Sequence, residues 1–217
     1  MRVLDYTGKT ILSILIPSIP ERQDQYVELM AEVWDQIWSM NETHPTLGNV
    51  EIVADHDKAF LDGGPSIGKK RGSLVNRAKG KYMCFLDDDE DISPNYVECL
   101  VRMCHENQDV VTFRSFCVND FYWTLVDMSL MNPTNEEATP ERIVKRRPWH
   151  ICPVRSEYAK KYPFEDINYG EDWKWFEKVL KHCHTEAHTS EILHSYQHSS
   201  KTSEADRIIK QTENERA

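Results

Sequence analysis

The chain is poor in glycine, with eight in 217 residues, it contains no C-x-x-C pair, and its basic residues are outnumbered, 26 against 36 acidic. So little glycine argues against a fibrous or low-complexity chain. The six cysteines, at 84, 99, 104, 117, 152 and 183, have no spacing that reads as a zinc site. Cys84 in KYMCFL and Cys104 in VRMCHEN lie in apolar runs, where a free thiol behaves as a small hydrophobe, so a reducing cytoplasm is expected. No long apolar run opens the chain: ILSILI is broken by Pro17, too soon for a signal h-region or a membrane span. A net charge of -10 repels a phosphate backbone over most of the surface. The strips Lys69-Lys70-Arg71 and Lys145-Arg146-Arg147 are local exceptions, and three adjacent cations are usually a solvated turn.

What is present supports one globular unit. Hydrophobic residues make up 40% of the chain, enough to build a core in a single α/β domain. ILSILI, 11–16, reads as a buried strand. From Tyr26 the positions Leu29, Met30, Val33, Trp34, Ile37 and Trp38 recur at helical spacing, and VEIVAD, 50–55, is a second strand, which makes a βαβ unit. The turn DGGPSIGKKRG leads to a helix over SLVNRAKG with Gly80 as its C-cap. KYMCFL is a central strand, and Ser93 and Pro94 are placed to start a helix through Val97, Leu100, Val101 and Met103. Two strands should flank Asn119-Asp120, followed by the polar loop MNPTNEEATPE. The segment 143–164 has no clear pattern. GEDWKWFEKVLKHC is helical with Trp173, Phe176, Val179 or Leu180, and Cys183 on one face; a strand near EILHSYQH and a charged helix in SEADRIIKQTENER complete the chain.

Asp87, Asp88 and Asp89 directly follow the apolar strand, and in α/β sheets ligands gather beyond the carboxyl ends of strands. Adjacent carboxylates raise one another's pKa, so a divalent cation would relieve them. The plainer alternative is a solvated acidic turn before a helix, whose N-terminus also favours negative charge. DDDEDISPNYVE lacks the central glycine and alternating ligands of an EF-hand.

The order SILIPSIPER, VEIVAD, SIGKKRGSLVNRAKGKYMCFLDDDED, YGEDWKWFEKVL and YQHSSKTS resembles the family-2 type of glycosyltransferase with the GT-A fold, especially the short versions in phage and other viral genomes. The resemblance covers about residues 10 to 200. It implies one Rossmann-like domain over 1–200 with a mixed, mostly parallel sheet flanked by helices, and a helical tail over 201–217. It further implies that Pro17, Ser18, Glu21, Arg71, Asp87 and Asp88 face a UDP-type nucleotide sugar, with Asp55, or failing it Asp57, on the uracil edge. Asp87 and Asp89 correspond to the outer acids of a D-x-D motif, which with His198 would hold Mn2+ or Mg2+. ADHDKA replaces the family's usual D-D-G-S type turn, and Gly72 stands where an Asn normally follows the arginine.

A hard cation suits this chemistry because a departing diphosphate gains about two negative charges. A carboxylate must also take the proton of the acceptor hydroxyl, and Asp172 is the candidate base, with Glu171 beside it. One base and direct attack imply inversion. Without the family resemblance, Asp172 reads as an acid stabilising its helix N-terminus. Trp149, His150 and Arg155 are candidates for the acceptor side, although ordinary packing is the competing explanation for Trp149. The acceptor is expected to be a glycan or a hydroxymethylated pyrimidine in DNA. Two rivals are a nucleotidyltransferase, which PSIPER disfavours for lack of glycine, and a non-catalytic sugar- or metal-binding module.

Overall fold

The computed structural model describes residues 9–197 except 59, 61, 62, 120, 138 and 141. The expected helix in 201–217 and His198 lie outside the described residues. The architecture is α/β, a mixed and mostly parallel sheet flanked by helices, as the family resemblance implied. Strands β1 (Thr10–Pro17), β2 (Asn49–Asp55) and β3 (Tyr82–Phe85) run parallel with β1 in the middle. Leu12, Ile14, Leu15 and Ile16 of β1 are all fully buried, and a continuous apolar run suits a strand covered on both faces.

Helix α1 (Gln23–Thr43) joins β1 to β2, and α2 (Ile67–Arg77) joins β2 to β3. The short β4 (Glu90–Ile92) and α3 (Tyr96–Cys104) follow. Then β5 (Val110–Val118) and β6 (Trp123–Met128) form the expected hairpin, its turn held by Asn119 Oδ1 accepting from the backbone of Phe121 and Tyr122. The unassigned stretch 143–164 contains β7 (Ile143–Arg146), β8 (Val154–Arg155) and α4 (Ser156–Ala159). Helix α5 (Glu171–Leu180) and the long β9 (Glu186–Gln197) close the described chain. The sheet order is β2-β1-β3-β8-β5-β6-β7, with β9 parallel to β5 and antiparallel to β4. Helices α1 and α3 pack together, whereas α2, α4 and α5 form a second group.

Several local expectations shift for identifiable reasons. Helix α2 begins at Ile67, not Ser73, because Ser66 caps it by accepting from Lys69 N at 3.2 Å. Its C-cap is Ala78. Gly80 instead allows a close crossing, since a Cβ there would lie 2.6 Å from Ser13 N and 2.7 Å from Tyr82 O. Helix α3 starts at Tyr96 after Asn95, and Ser93 donates to the Asn95 side chain rather than capping. On α1 the buried stripe is Leu29, Val33, Ile37 and Met40; Trp34 and Trp38, one residue round the helix, are 51% and 57% exposed. Trp173 is likewise turned outward, and the buried face of α5 is Trp175, Phe176, Val179 and Leu180. All six cysteines are unpaired, and among the described residues no helix is long and apolar enough to cross a membrane.

Asp109 ties the ends of three elements together at the edge away from the acidic turn. Its Oδ2 accepts from His184 N, Thr185 N and Thr185 Oγ at 2.9–3.0 Å, and its Oδ1 accepts from the Tyr158 hydroxyl at 3.1 Å. Burial pushes its pKa up, but these donors outweigh burial and hold the carboxyl below its ordinary 3.8. Asp109→Ala is expected to cost about 1–2 kcal/mol in urea unfolding at neutral pH. Because the folded pKa is depressed, this advantage is full above 3.8 and shrinks as pH falls through the lower folded value. Unfolding curves of both proteins at pH 7 and in acid check the window.

Candidate active site

The carboxyl ends of β1, β2 and β3 converge, so residues far apart in sequence meet at one end of the sheet. Ser18, just after β1, donates its hydroxyl to Asp88 Oδ2 at 2.7 Å, and its N–H donates to Asp55 O at 2.7 Å. Ser18 has one hydroxyl proton, already given to Asp88, so the 2.9 Å contact with His56 Nδ1 has the imidazole N–H donating. The His56 ring stacks on Tyr26, centroids 4.7 Å apart. Lys70 Nζ donates to Ser18 O at 2.8 Å and also to Asp57 O, tying α2 to the ends of β1 and β2.

Arg71 occupies the centre. Its side chain is 5% exposed, Nη2 donates to Asp87 Oδ2 at 2.8 Å, and Nε donates to Glu171 Oε1 at 3.1 Å. The guanidinium also lies 4.8 Å from the centroid of the Phe85 ring. Phe85 meets Phe164 and Trp175 edge-on, each at 5.7 Å, so the ring beneath the guanidinium is itself packed. Burial pulls the Arg71 pKa down, but Asp87, Glu171 and Asp172 overcome it and raise it. Helix α2 is seated by the segment before α5: Ser66 Oγ donates to Asp166, Ile67 N to Asn168 Oδ1 and Gly68 N to Ile167 O. At Gly68 a Cβ would fall 1.9 Å from Glu165 O, so a side chain there would push this segment away.

Gly170, with φ at 70°, turns the chain into α5 and presents Asp172. Asp172 Oδ2 is 3.2 Å from His150 Nδ1, and its Oδ1 accepts from Trp173 N at 2.7 Å. Burial acts to raise the Asp172 pKa, but His150 and Arg71 outweigh it and hold the carboxyl below its ordinary value. It is therefore ionised at neutral pH. Burial leaves His150 with a lowered pKa despite Asp172. A cavity of about 340 Å3 opens beside these groups, with Asp87, Trp149, His150 and Asp172 in its wall.

No protein-family model and no curated protein matches the chain. The fold is similar to that of S. aureus TarS. TarS 1–349 is 17% identical with a TM-score of 0.58, and the match covers 87% of this chain and 60% of that one. TarS 1–349 in complex with UDP-GlcNAc gives 15% and 0.58, covering 88% and 59%. The complex with UDP gives 17% and 0.58, covering 88% and 62%. This chain thus spans about 60% of the length of TarS 1–349, and what the two share at this identity is the fold.

Of the residues singled out in the sequence, the fold gathers Pro17, Ser18, Asp55, Arg71, Asp87, Asp88, Asp89, Trp149, His150, Glu171 and Asp172 at one end of the sheet and the cavity beside it. Glu21 is exposed in the short 3-10 turn after β1 and bonds to none of the three aspartates. Arg155 is a correction. It pairs with Tyr82 at the start of β3 and bridges to Asp109 and Glu157, at the opposite end of the strand from Asp87, because β8 runs antiparallel to β3. The fold also brings in Arg22, Tyr26, His56, Lys70, Glu90, Ser115 and His194, which local pattern did not single out individually. Lys70 carried a signal as part of the Lys69-Lys70-Arg71 strip, and Glu90 as the continuation of the acidic run DDDED.

Asp87 and Asp89 offer hard oxygen donors of the kind Mn2+ and Mg2+ take. Asp87 Oδ1 is buried without a hydrogen-bond partner among the described residues. Arg22 Nη1 lies 2.9 Å from Asp89, and burial, opposed by Arg22 and reinforced by the neighbouring acids, pushes the Asp89 pKa up to about 7. Among the described residues no group of three or more His, Cys, Asp or Glu is placed to hold a metal ion. The two carboxylates would supply part of such a cation's oxygen shell.

Removing Arg71 strands two buried carboxylates at once. Arg71→Ala is expected to lose about 3–5 kcal/mol of stability. Arg71→Lys keeps the charge but reaches one acid at a time, so its loss should be smaller. Equilibrium urea unfolding of the two variants checks the order.

Proposed function

We propose that the chain is a glycosyltransferase that moves a sugar from a UDP-type nucleotide sugar to an acceptor hydroxyl with inversion. The observation that carries this reading is Asp172, kept ionised 3.2 Å from His150 in the wall of a cavity that also contains Asp87. The similarity in fold to TarS, solved in complex with UDP-GlcNAc and with UDP, supports the donor class.

In this reading the acceptor hydroxyl lies against Asp172 and gives it a proton as the acceptor oxygen bonds to the anomeric carbon. The bond from that carbon to the diphosphate oxygen breaks on the opposite side, and its electron pair leaves with UDP. His150 lies 3.2 Å from the carboxylate and, with its pKa lowered by burial, packs against it as a polar neighbour in the cavity wall. Glu171 is buried against Arg71, which suits it to positioning α5 and Asp172 rather than to touching the acceptor. On the donor side, the Tyr26–His56 stack, Ser18 and Asp55 form a flat-walled polar corner suited to a base and ribose. Arg71 and Lys70 bring positive charge near the acidic turn.

Asp87 and Asp89 would hold Mn2+ or Mg2+, with His198 a further ligand in the family resemblance. The ion would supply positive charge to the departing diphosphate. The acceptor hydroxyl belongs to a glycan or a hydroxymethylated pyrimidine.

Asp172→Asn keeps the shape of the side chain and removes its basicity. UDP release from UDP-GlcNAc and related UDP-sugars, followed with Mn2+ present, is expected to fall about 10²–10⁴-fold while UDP affinity stays within about twofold. Full turnover in that variant would return Asp172 to a helix-stabilising acid. In a separate measurement, Mn2+ should raise the UDP-dependent thermal shift of the wild type, and Asp89→Asn should abolish the increment.

A further inference from the structure

Helix α1 carries two apolar stripes, and the fold buries one of them. Leu29, Val33, Ile37 and Met40 pack into the core. Val27, Ala31, Trp34 and Trp38 recur at the same spacing of three and four on another face, and all four are exposed, each tryptophan by more than half. A helix packed on one side normally keeps a single apolar stripe, with polar residues opposite. Two indole rings one turn apart on an open helix face are a patch that gains by being covered.

The charges beside this stripe are of one sign. Gln23–Thr43 contains five acids, Asp24, Glu28, Glu32, Asp35 and Glu42, and no Lys, Arg or His. All five are exposed, and none meets a cation within ion-pair distance among the described residues. At about 100° per residue, Asp24, Glu28, Asp35 and Glu42 fall along one border of the stripe, and Glu32 and Ser39 lie further round, where α1 meets α3. A groove of about 490 Å3 lies there between the two helices, walled by Glu32, Asp35, Ser39, Pro94 and Glu98. Gln36 fixes its width by donating to Ser93 O at 2.9 Å and accepting from Val97 N at 3.0 Å. Glu98 is matched by Arg102 at 2.7 Å, so the uncompensated charge of the groove is on Glu32 and Asp35.

This combination selects the occupant. Helices that lie on a membrane carry Lys and Arg on their polar face, and an anionic lipid surface would be repelled here. A second copy of α1 brings the same acids and no cation, so it leaves the row unmatched. A helix with large apolar side chains on one face and Lys or Arg along its border satisfies both features. Its apolar residues cover Trp34 and Trp38, and its cations meet Glu28, Asp35 and the groove. From Val27 to Trp38 the stripe is about 16 Å long, three turns of helix.

We infer that the outer face of α1 is a docking surface for a cationic amphipathic helix of a partner protein, with Trp34 and Trp38 as apolar anchors and the acids of α1 as the matching charge. The inference does not rest on the transferase reading.

The test uses the full chain and a capped helical peptide of leucine and lysine, its leucines three and four apart, beside the same peptide with glutamate for lysine. Calorimetry is expected to show micromolar binding of the lysine peptide and binding of the glutamate peptide at least about tenfold weaker. The double variant Trp34→Gln, Trp38→Gln leaves the charge unchanged and should weaken the lysine peptide about tenfold or more, with thermal unfolding like that of the wild type. A chain of net charge -10 attracts any polycation, so equal affinity in this variant means attraction by charge alone and overturns the inference. Glu28→Lys combined with Asp35→Lys should turn the preference to the glutamate peptide, and it decides the question if the tryptophan variant fails to fold. Carbodiimide coupling, which joins a carboxylate to an amine in contact with it, should place peptide lysines on Glu28 or Asp35. Failure of the lysine peptide to bind overturns the inference. So does coupling of the α1 acids, in the free chain, to a second copy or to Lys201 or Lys210 of the same chain, and so does binding to phosphatidylglycerol vesicles that is lost in the tryptophan variant.

Discussion

Arg71 is the charge on which the arrangement of the site depends. Its guanidinium reaches from α2 to the end of β3 through Asp87 and to the start of α5 through Glu171, with Phe85 beneath it. A buried cation held by two acids is costly to form and more costly to break, because each partner removed leaves an opposite charge without solvent. The ion pairs therefore specify where α5 begins relative to the acidic turn. Asp172 inherits its position from that junction, since it is the neighbour of Glu171 and follows the left-handed Gly170.

The apolar framework makes such a charge tolerable. Phe85, Phe164 and Trp175 form a packed aromatic group under the guanidinium, with Phe164 and Trp175 stacked at 4.5 Å. Helix α2 can carry Arg71 into this place because Gly68 lets the segment at Glu165 pass against its first turn. The same turn is capped by Ser66 and by Asn168, so the backbone donors at the helix start are satisfied where the helix meets α5. Around the site, opposite charges are matched at Arg22 with Asp88 and Asp89 and at Arg71 with Asp87 and Glu171, while His150 faces Asp172 and His194 faces Glu90. Polar groups that converge in this way at the end of a mostly parallel sheet form the place where an α/β fold binds ligands.

Much of the framework was legible in the residues. The apolar runs at 11–16 and 82–86, the helical spacing from Leu29 to Ile37 and the acids at 87–89 all lie where local pattern put them. Errors fell where neighbours in sequence compete for one surface. Trp34 and Trp38 are large and apolar, yet the core side of α1 is taken by Val33 and Ile37, and a rotation of about 100° per residue leaves the tryptophans outside. Arg155 follows a segment that does reach the site, but the chain reverses through β8 and carries it to the far end of β3.

By itself the sequence determined that acids would follow a buried strand, because an apolar run of strand length and the polar residues that end it are neighbours in the chain. It also determined that the run through Trp175 and Val179 would be a helix with one apolar face. Only the tertiary structure decided that Arg71 meets Glu171 across 100 positions, that His150 faces Asp172, and that Ser115, His194 and Glu90 form one chain of contacts. These pairings depend on strand order and register. Each joins residues separated by intervening elements, and no periodicity within a short window carries that information.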